Sequence, residues 1–126
     1  MIIVDTDVLI WYLRGNEKAL NVIQDLEGFS ISVITYMELV QGMRNKKELN
    51  SLRQALHSWN SSILYVTEEI SAKAMFSIEQ HFLSHSLQLA DALIGSTAIA
   101  HGLPLLTGND KHYKILKDVQ IRRFRP

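Results

Sequence analysis

Hydrophobic and polar positions along the chain alternate between short β-type runs and longer helical stripes. The β-type runs predict strands at residues 2–4, 29–34, 62–66, 103–107 and 119–124. Apolar residues three and four apart predict helices over 8–13, 16–27, 46–59, 67–85, 87–101 and 108–117, and another begins at Thr35. Strands that alternate with helices usually pair in parallel. The pattern therefore predicts the α/β fold class, with a mainly parallel central sheet flanked by helices.

The first strand ends abruptly in acidic residues. Residues 2–4 are consecutive and β-branched, which is typical of a strand buried on both faces, and Asp5 and Asp7 follow. The C-terminal edge of an open parallel sheet is where such folds bind ligands. A purely structural role is also open, because either acid is suited to cap the helix over 8–13.

Two helix starts carry further acids. Thr35 and Glu38 match the T-x-x-E capping box, which predicts that they begin the third helix. Residues 87–101 are apolar on nearly every side and predict a largely buried helix ended by Gly102, with Asp91 in its first turn.

Composition limits the class of protein. A chain of 126 residues with 47% hydrophobic and 21% charged residues predicts one globular domain, and the absence of cysteine excludes disulfides, thiolate metal sites and a cysteine nucleophile. No apolar run approaches the roughly 20 residues of a membrane span, and the start lacks the basic segment of an export signal. We therefore expect a cytoplasmic protein without a membrane segment.

Charge is balanced over the whole chain but not along it. Lys plus Arg and Asp plus Glu each total 13, whereas residues 111–126 hold six basic residues against the single acid Asp118. A solvated surface explains such a run, and so does contact with a polyanion.

Four acids follow strands or begin the buried helix: Asp5, Glu38, Asp91 and Asp110. Each has a structural explanation as a helix cap, a capping box, a partner of the helix dipole or an Asx turn. Carboxylates that converge on one sheet edge nevertheless repel one another unless a cation or protons neutralise them. Oxygen ligands without cysteine or a histidine cluster favour Mg²⁺ or Mn²⁺, and such ions act mostly on phosphates.

The segments IIVDTDVLI, SVITYMEL and ADALIGSTAIAHGLPLLTGNDKHY, in this order and at these separations, resemble PIN-domain proteins, specifically VapC-like ribonuclease toxins of toxin-antitoxin pairs. The resemblance extends over essentially the whole chain. It implies a single PIN domain over residues 1–126, built as a three-layer sandwich. It also implies Mg²⁺-dependent or Mn²⁺-dependent endonucleolytic cleavage of RNA and inhibition by a VapB-like antitoxin.

The resemblance also assigns roles to residues. It implies that Asp5 and Asp91 are metal ligands and that Glu38 is a ligand or orients the attacking water. A fourth acidic position falls on Asn109, with Asp110 directly after it, and either residue is a candidate. Thr6 and Thr107 lie beside these acids in sequence and are candidates to orient water or phosphate, or to cap helices.

Two other functions fit parts of the sequence. Asp5 and Asp7 after an apolar strand are similar to the D-x-D pair of haloacid-dehalogenase-type phosphatases, whose mechanism would form an aspartyl-phosphate on Asp5. That pattern expects threonine two residues after the second aspartate, where this chain has Leu9. A non-catalytic RNA-binding scaffold of the same fold is the other alternative, although retention of the acids disfavours it.

Outside the acids, several surfaces are candidates for binding. In the basic C-terminal run, His112 and Tyr113 are candidates to stack on unpaired bases, although core packing is the favoured explanation for Tyr113. Apolar residues over 43–59 suggest a groove for an antitoxin, internal packing or a homodimer interface. The candidates for holding flanking phosphates are Lys111, Lys114, Arg122, Arg123 and Arg125.

Overall fold

The computed structural model describes residues 1–83 and 87–126 and contains a five-stranded, wholly parallel sheet. The strands are β1 Ile3–Val4, β2 Ser30–Ser32, β3 Ser62–Leu64, β4 Leu105–Thr107 and β5 Ile121–Arg123. The helices within these ranges are α1 Thr6–Leu13, α2 Glu17–Asp25, α3 Val33–Gln41, α4 Lys46–Ser58, α5 Glu68–His81, α6 Leu89–His101 and α7 Asp110–Tyr113. The predicted α/β fold class is confirmed.

Strand β1 lies at the centre of the sheet, in the order β3-β2-β1-β4-β5. Ile3 is in register with Ser30 of β2 on one side and Leu105 of β4 on the other. The chain first builds outward from β1 through β2 to β3 and later returns to the opposite side of β1. In open α/β sheets a crevice forms at such a reversal, outside the carboxyl ends of the strands. Asp5 lies at this place.

Side chains that alternate along the strands produce a core on each face of the sheet. Val4, Ile31 and Leu106 pack with helices α1 to α4, whereas Ile3 and Leu105 pack with α6 and α7 on the opposite face. Helix α5 packs against α6. The result is the predicted three-layer arrangement, with both faces of the sheet covered.

The predicted capping box at Thr35 and Glu38 is wrong. The N-cap of α3 is Ser32, whose hydroxyl accepts a hydrogen bond from the Ile34 N–H at 3.0 Å. A serine that ends a strand satisfies a free helical N–H, so the helix begins at Val33, two residues earlier than predicted. Thr35 and Glu38 then lie three apart within α3 and share one helix face.

Other boundaries differ less. Helix α1 begins at Thr6 rather than at residue 8, because Asp5 caps it, and α7 ends at Tyr113 rather than at 117. Helix α5 ends at His81, and the last part of its predicted range, residues 84 and 85, lies outside the described residues. Across the described ranges, the structure has no helix that is both long and apolar enough to cross a membrane.

Candidate active site

Asp5 is the central acid of the crevice. It follows β1 and is buried, with only 3% of its surface exposed. Its Oδ1 accepts a hydrogen bond from the Thr6 N–H at 2.8 Å, and its Oδ2 accepts one from the Thr107 hydroxyl at 2.7 Å. Asp5 is therefore a helix cap and is also tied across the sheet to the end of β4. Both interpretations of Asp5, as a cap and as a residue of the crevice, hold together.

Burial makes the charge of Asp5 costly. Loss of solvent raises the pKa of Asp5 from 3.8 to about 7, and the neighbouring charge of Asp7 contributes to the rise, while the Thr107 hydroxyl and the Thr6 N–H act in the opposite direction. Near neutral pH the Asp5 carboxylate can therefore be neutralised either by a proton or by a cation.

Asp7 is a member of the site that sequence reasoning did not include. Its Oδ2 accepts a hydrogen bond from the Gly108 N–H at 2.8 Å, and burial raises its pKa. A Cβ on Gly108 would lie 2.6 Å from the same oxygen, so this close approach requires glycine. The D-x-D spacing could have indicated this role. Asp7 is the second residue of α1, so its side chain points in a different direction from that of Asp5, which caps the helix.

Asp91 lies at the start of α6. Its Oδ2 accepts a hydrogen bond from the Gln88 N–H at 3.3 Å and lies 3.5 Å from His112 Nδ1, and its side chain is 14% exposed. Burial raises the pKa of Asp91, whereas the Gln88 N–H and the charge of His112 lower it. Its predicted place in the first turn of a buried helix is confirmed.

Glu38 is connected to the site through Thr6. The Thr6 hydroxyl donates to Glu38 Oε1 at 2.7 Å, and its oxygen lies 3.0 Å from the hydroxyl oxygen of Thr35. Thr35 and Thr6 are buried, whereas Glu38 reaches solvent. This contact fixes the exposed Glu38 carboxylate beside the first turn of α1. Its partner, Thr6, lies between Asp5 and Asp7 in the sequence.

The candidates for the fourth acidic position differ in their surroundings. Asp110 is buried, and its carboxylate lies 2.9 Å from an Arg125 nitrogen and 3.6 Å from Arg123 Nε. The hydrogen bond and charge of Arg125 hold the pKa of Asp110 below its usual range. Asn109 is exposed, and its N–H donates to the Thr107 hydroxyl at 2.9 Å. The same hydroxyl therefore connects Asn109 to Asp5.

Tyr113 is completely buried, so the prediction that it stacks on unpaired bases is wrong and its core packing is confirmed. Within the described residues, two buried side-chain polar atoms lack a hydrogen-bond partner, and they are Asp7 Oδ1 and the Tyr113 hydroxyl. Native proteins rarely leave such atoms unpaired. Both belong to this crevice.

The donor set of the crevice fits a hydrated divalent cation. Asp5, Asp7 and Asp91 supply carboxylate oxygens, burial raises the pKa of all three, and Asp7 Oδ1 is unpaired. No preformed group of three or more acidic or histidine ligands occurs in the part of the chain that the structure describes. Mg²⁺ is commonly held by one or two carboxylates together with waters, which this arrangement accommodates.

Comparison with known proteins identifies the fold family. A family model for the PIN domain matches residues 2–118. The chain belongs to the PIN-domain family. The predicted family is thereby confirmed. PIN-domain ribonucleases as a class generally depend on divalent metal ions.

Two curated relatives extend over almost all of this PIN domain. Ribonuclease VapC1 of Methanocaldococcus jannaschii is 31% identical over 98% of this chain and 86% of that protein. Ribonuclease VapC10 of Mycobacterium tuberculosis is 34% identical over 95% of this chain and 91% of that protein. The similarity therefore extends over nearly the whole chain.

Solved structures share the architecture of this PIN domain. A toxin-antitoxin complex from Klebsiella pneumoniae contains a chain that superposes with a TM-score of 0.74 and is 27% identical, with 94% of this chain and 95% of that chain covered. VapBC-1 from nontypeable Haemophilus influenzae gives a TM-score of 0.80 at 23% identity, with 98% of both chains covered. The second of these likenesses concerns the fold alone.

Proposed function

We propose that this protein is a VapC-type endoribonuclease, with residues 1–126 forming one PIN domain. The observation that carries the proposal is the buried Asp5 at the β1–β4 crevice, joined to Thr107 and beside the Thr6–Glu38 contact, in a chain that belongs to the PIN family. Curated relatives that match nearly the whole chain have the name ribonuclease VapC. The substrate is RNA, and the bond hydrolysed is a phosphodiester.

The proposed cofactor is Mg²⁺, with Mn²⁺ as an alternative, held by Asp5 and Asp91. A bound divalent ion would lower the pKa of an attacking water and neutralise the charge that develops at the phosphate. The protein's own contribution is orientation. The Thr6 N–H and the Thr107 hydroxyl hold the two oxygens of Asp5. Thr6 also directs Glu38 toward the crevice, where its exposed carboxylate orients the water.

For the fourth acidic position of the family, we favour Asn109 over Asp110. Two arginines already engage the carboxylate of Asp110, so its role is to fasten the segment after β4 to the C-terminal strand. Asn109 is exposed at the crevice and is joined by its N–H to Thr107. A neutral amide at this position contacts water through hydrogen bonds and adds no negative charge.

Under this proposal the basic residues of the C-terminal run have two different roles. Arg123 and Arg125 act mainly on Asp110, whereas Lys111 and Lys114 are exposed on and just after α7, beside the crevice. We assign Lys111 and Lys114 to contacts with flanking phosphates of the RNA. Cytoplasmic RNA as the substrate agrees with the expected location of a cysteine-free protein.

The phosphatase alternative is disfavoured by the surroundings of Asp5. Its two oxygens accept hydrogen bonds at 2.8 and 2.7 Å, which leaves this carboxylate poorly placed as a nucleophile toward phosphorus. A non-catalytic scaffold would have no need for three buried or half-buried acids whose pKa values are raised by burial, because such groups reduce stability.

The proposed partner is a VapB-like antitoxin, because related folds are found in VapBC and other toxin-antitoxin complexes. The α3–α4 hairpin packs mainly inward through Leu52 and Leu56. It nevertheless leaves an open cleft toward α1, lined by Ile10, Leu39 and Met43, which we assign to the antitoxin. We further propose a homodimer, with exposed Met75 and Phe76 of α5 in its interface.

Glu38→Gln tests the assignment of the water-orienting group. The amide oxygen can still accept the hydrogen bond from Thr6, but the negative charge is lost, so we expect RNA cleavage to fall by about 100-fold with an unchanged melting temperature. Growth arrest on expression should be relieved in parallel. Glu27→Gln, an exposed acid on another part of the surface, is the matched control and should retain both properties. Full cleavage by Glu38→Gln would remove this residue from the mechanism.

A further inference from the structure

The turn at the end of β4, residues 107–110, contacts the first two acids of the crevice, and we refer to it as the β4 turn. The Thr107 hydroxyl donates to Asp5 Oδ2 at 2.7 Å. The Gly108 N–H donates to Asp7 Oδ2 at 2.8 Å. The position of the β4 turn therefore helps to set the directions in which both carboxylates point.

The other side of the β4 turn lies against the C-terminal part of the chain. The Phe124 N–H donates to the Thr107 carbonyl at 2.8 Å, and Phe124 is buried in the core. Gly108 fits closely between two neighbours, because an added Cβ would lie 3.3 Å from the Phe124 carbonyl oxygen and 2.6 Å from Asp7 Oδ2. Close packing of this kind transmits displacements. A shift of the residues after β5 would therefore reach the acids.

Arg125 fastens this C-terminal part to the β4 turn. Its Nη2 lies 2.9 Å from Asp110 Oδ1, and its Nη1 donates to the Gly108 carbonyl at 3.3 Å and to the Phe124 carbonyl at 3.0 Å. The Asp110 carboxylate is buried, whereas half of the Arg125 side chain is exposed. A planar guanidinium can make these contacts at the same time, but the compact ammonium of lysine cannot reproduce this fork.

We propose that Arg125 is a positioning residue of the ribonuclease site, which holds the β4 turn in place and thereby orients the Asp5 and Asp7 carboxylates. Its guanidinium contacts the turn at Gly108 and Asp110, and the turn contacts the acids. A misplacement of about 1 Å in a catalytic site can lower a rate by about 100-fold, so a small shift of the turn should be measurable. This inference rests on the proposed function.

Arg125→Lys keeps the positive charge but removes the planar fork, and it tests the inference in the full chain. In metal-free protein, hydrogen exchange measured by NMR should be about tenfold faster at the Gly108 N–H and unchanged in β2, because only the turn loosens. With Mg²⁺ and a defined RNA, kcat should fall about tenfold while KM keeps its wild-type value. Arg53→Lys makes the same change at an exposed position of α4 and should alter neither property.

The outcomes separate this inference from the proposed function. Wild-type exchange at Gly108 in Arg125→Lys overturns the inference, and so does faster exchange throughout the sheet, since Arg125 would then stabilise only the fold. An unchanged kcat overturns it too, and a raised KM would then assign Arg125 to RNA phosphates. If the wild type cleaves no RNA, the proposed function fails and the catalytic part of the inference with it. Exchange at Gly108 would still decide whether Arg125 holds the turn.

Discussion

Asp5→Asn is expected to reduce RNA cleavage by roughly a thousandfold or more, because it removes a charged ligand from the crevice while preserving the shape of the side chain. The amide oxygen introduced by the substitution can still accept the Thr6 N–H and cap α1. The Thr107 hydroxyl can rotate to accept from the amide nitrogen where it now donates to Asp5 Oδ2. Cleavage of a defined RNA in saturating Mg²⁺ measures the loss.

The same substitution is expected to stabilise the metal-free protein at pH 8. Because the pKa of Asp5 rises from 3.8 in the unfolded chain to about 7 in the fold, the folded state binds a proton more tightly. The resulting stability is fully present below about pH 4 and is lost as the pH rises through about 7. At pH 8 the ionised wild type therefore lacks up to about 4 kcal/mol that Asp5→Asn retains.

Urea unfolding in EDTA at several pH values tests this stability difference. The gap between Asp5→Asn and the wild type should be largest at pH 8, decrease from about pH 7 downward and vanish near pH 4. Asp110 acts in the opposite direction in both proteins, because its pKa is lowered and its stabilising ion pairs are lost on protonation at low pH. An inactive Asp5→Asn that is less stable at pH 8 would show that Asp5 serves the fold.

Asp91→Asn is expected to reduce cleavage to a similar extent through loss of the second proposed ligand. The amide oxygen can keep the hydrogen bond from the Gln88 N–H that begins α6, so the helix start should remain intact. Since burial raises the pKa of Asp91, removing its charge should not weaken folding, and we expect the free energy of unfolding to change by no more than about 1 kcal/mol.

Asp118→Asn is the control for Asp91→Asn, because it makes the same change in net charge at an exposed acid. It should cleave RNA at the wild-type rate and bind Mn²⁺ normally, whereas Asp91→Asn should have lost both properties. Wild-type Mn²⁺ affinity in a well-folded Asp91→Asn protein would exclude Asp91 as a ligand.

The sheet and the main acids were predictable because their signals are local and strong. The β-branched run before Asp5 predicted a strand buried on both faces, and the apolar surroundings of Asp91 predicted an acid in a buried helix. Strand and helix alternation then required the carboxyl ends of β1 and β4 to meet. These inferences depend on periodicity and topology, which the order of residues determines directly.

Other parts of the site depend on contacts that are distant in sequence. The predicted capping box is wrong because Ser32 caps the start of α3. Thr35 and Glu38 lie inside α3 and contact Thr6 of helix α1 instead. The contact of Asp7 could not be predicted without knowing that the Gly108 N–H approaches its carboxylate. A residue pattern identifies the side chains, but their orientations are set by packing between elements.

Metal dependence of RNA cleavage by the wild-type protein tests the central claim most directly. Purified protein would be freed of metal with EDTA, dialysed, and titrated with Mg²⁺ or Mn²⁺ in the presence of a mixture of structured RNAs. We expect no cuts in the metal-free protein and cuts that appear and saturate as either ion is added. Cleavage that persists unchanged in EDTA would contradict it, because the buried acids would then have no cation to hold.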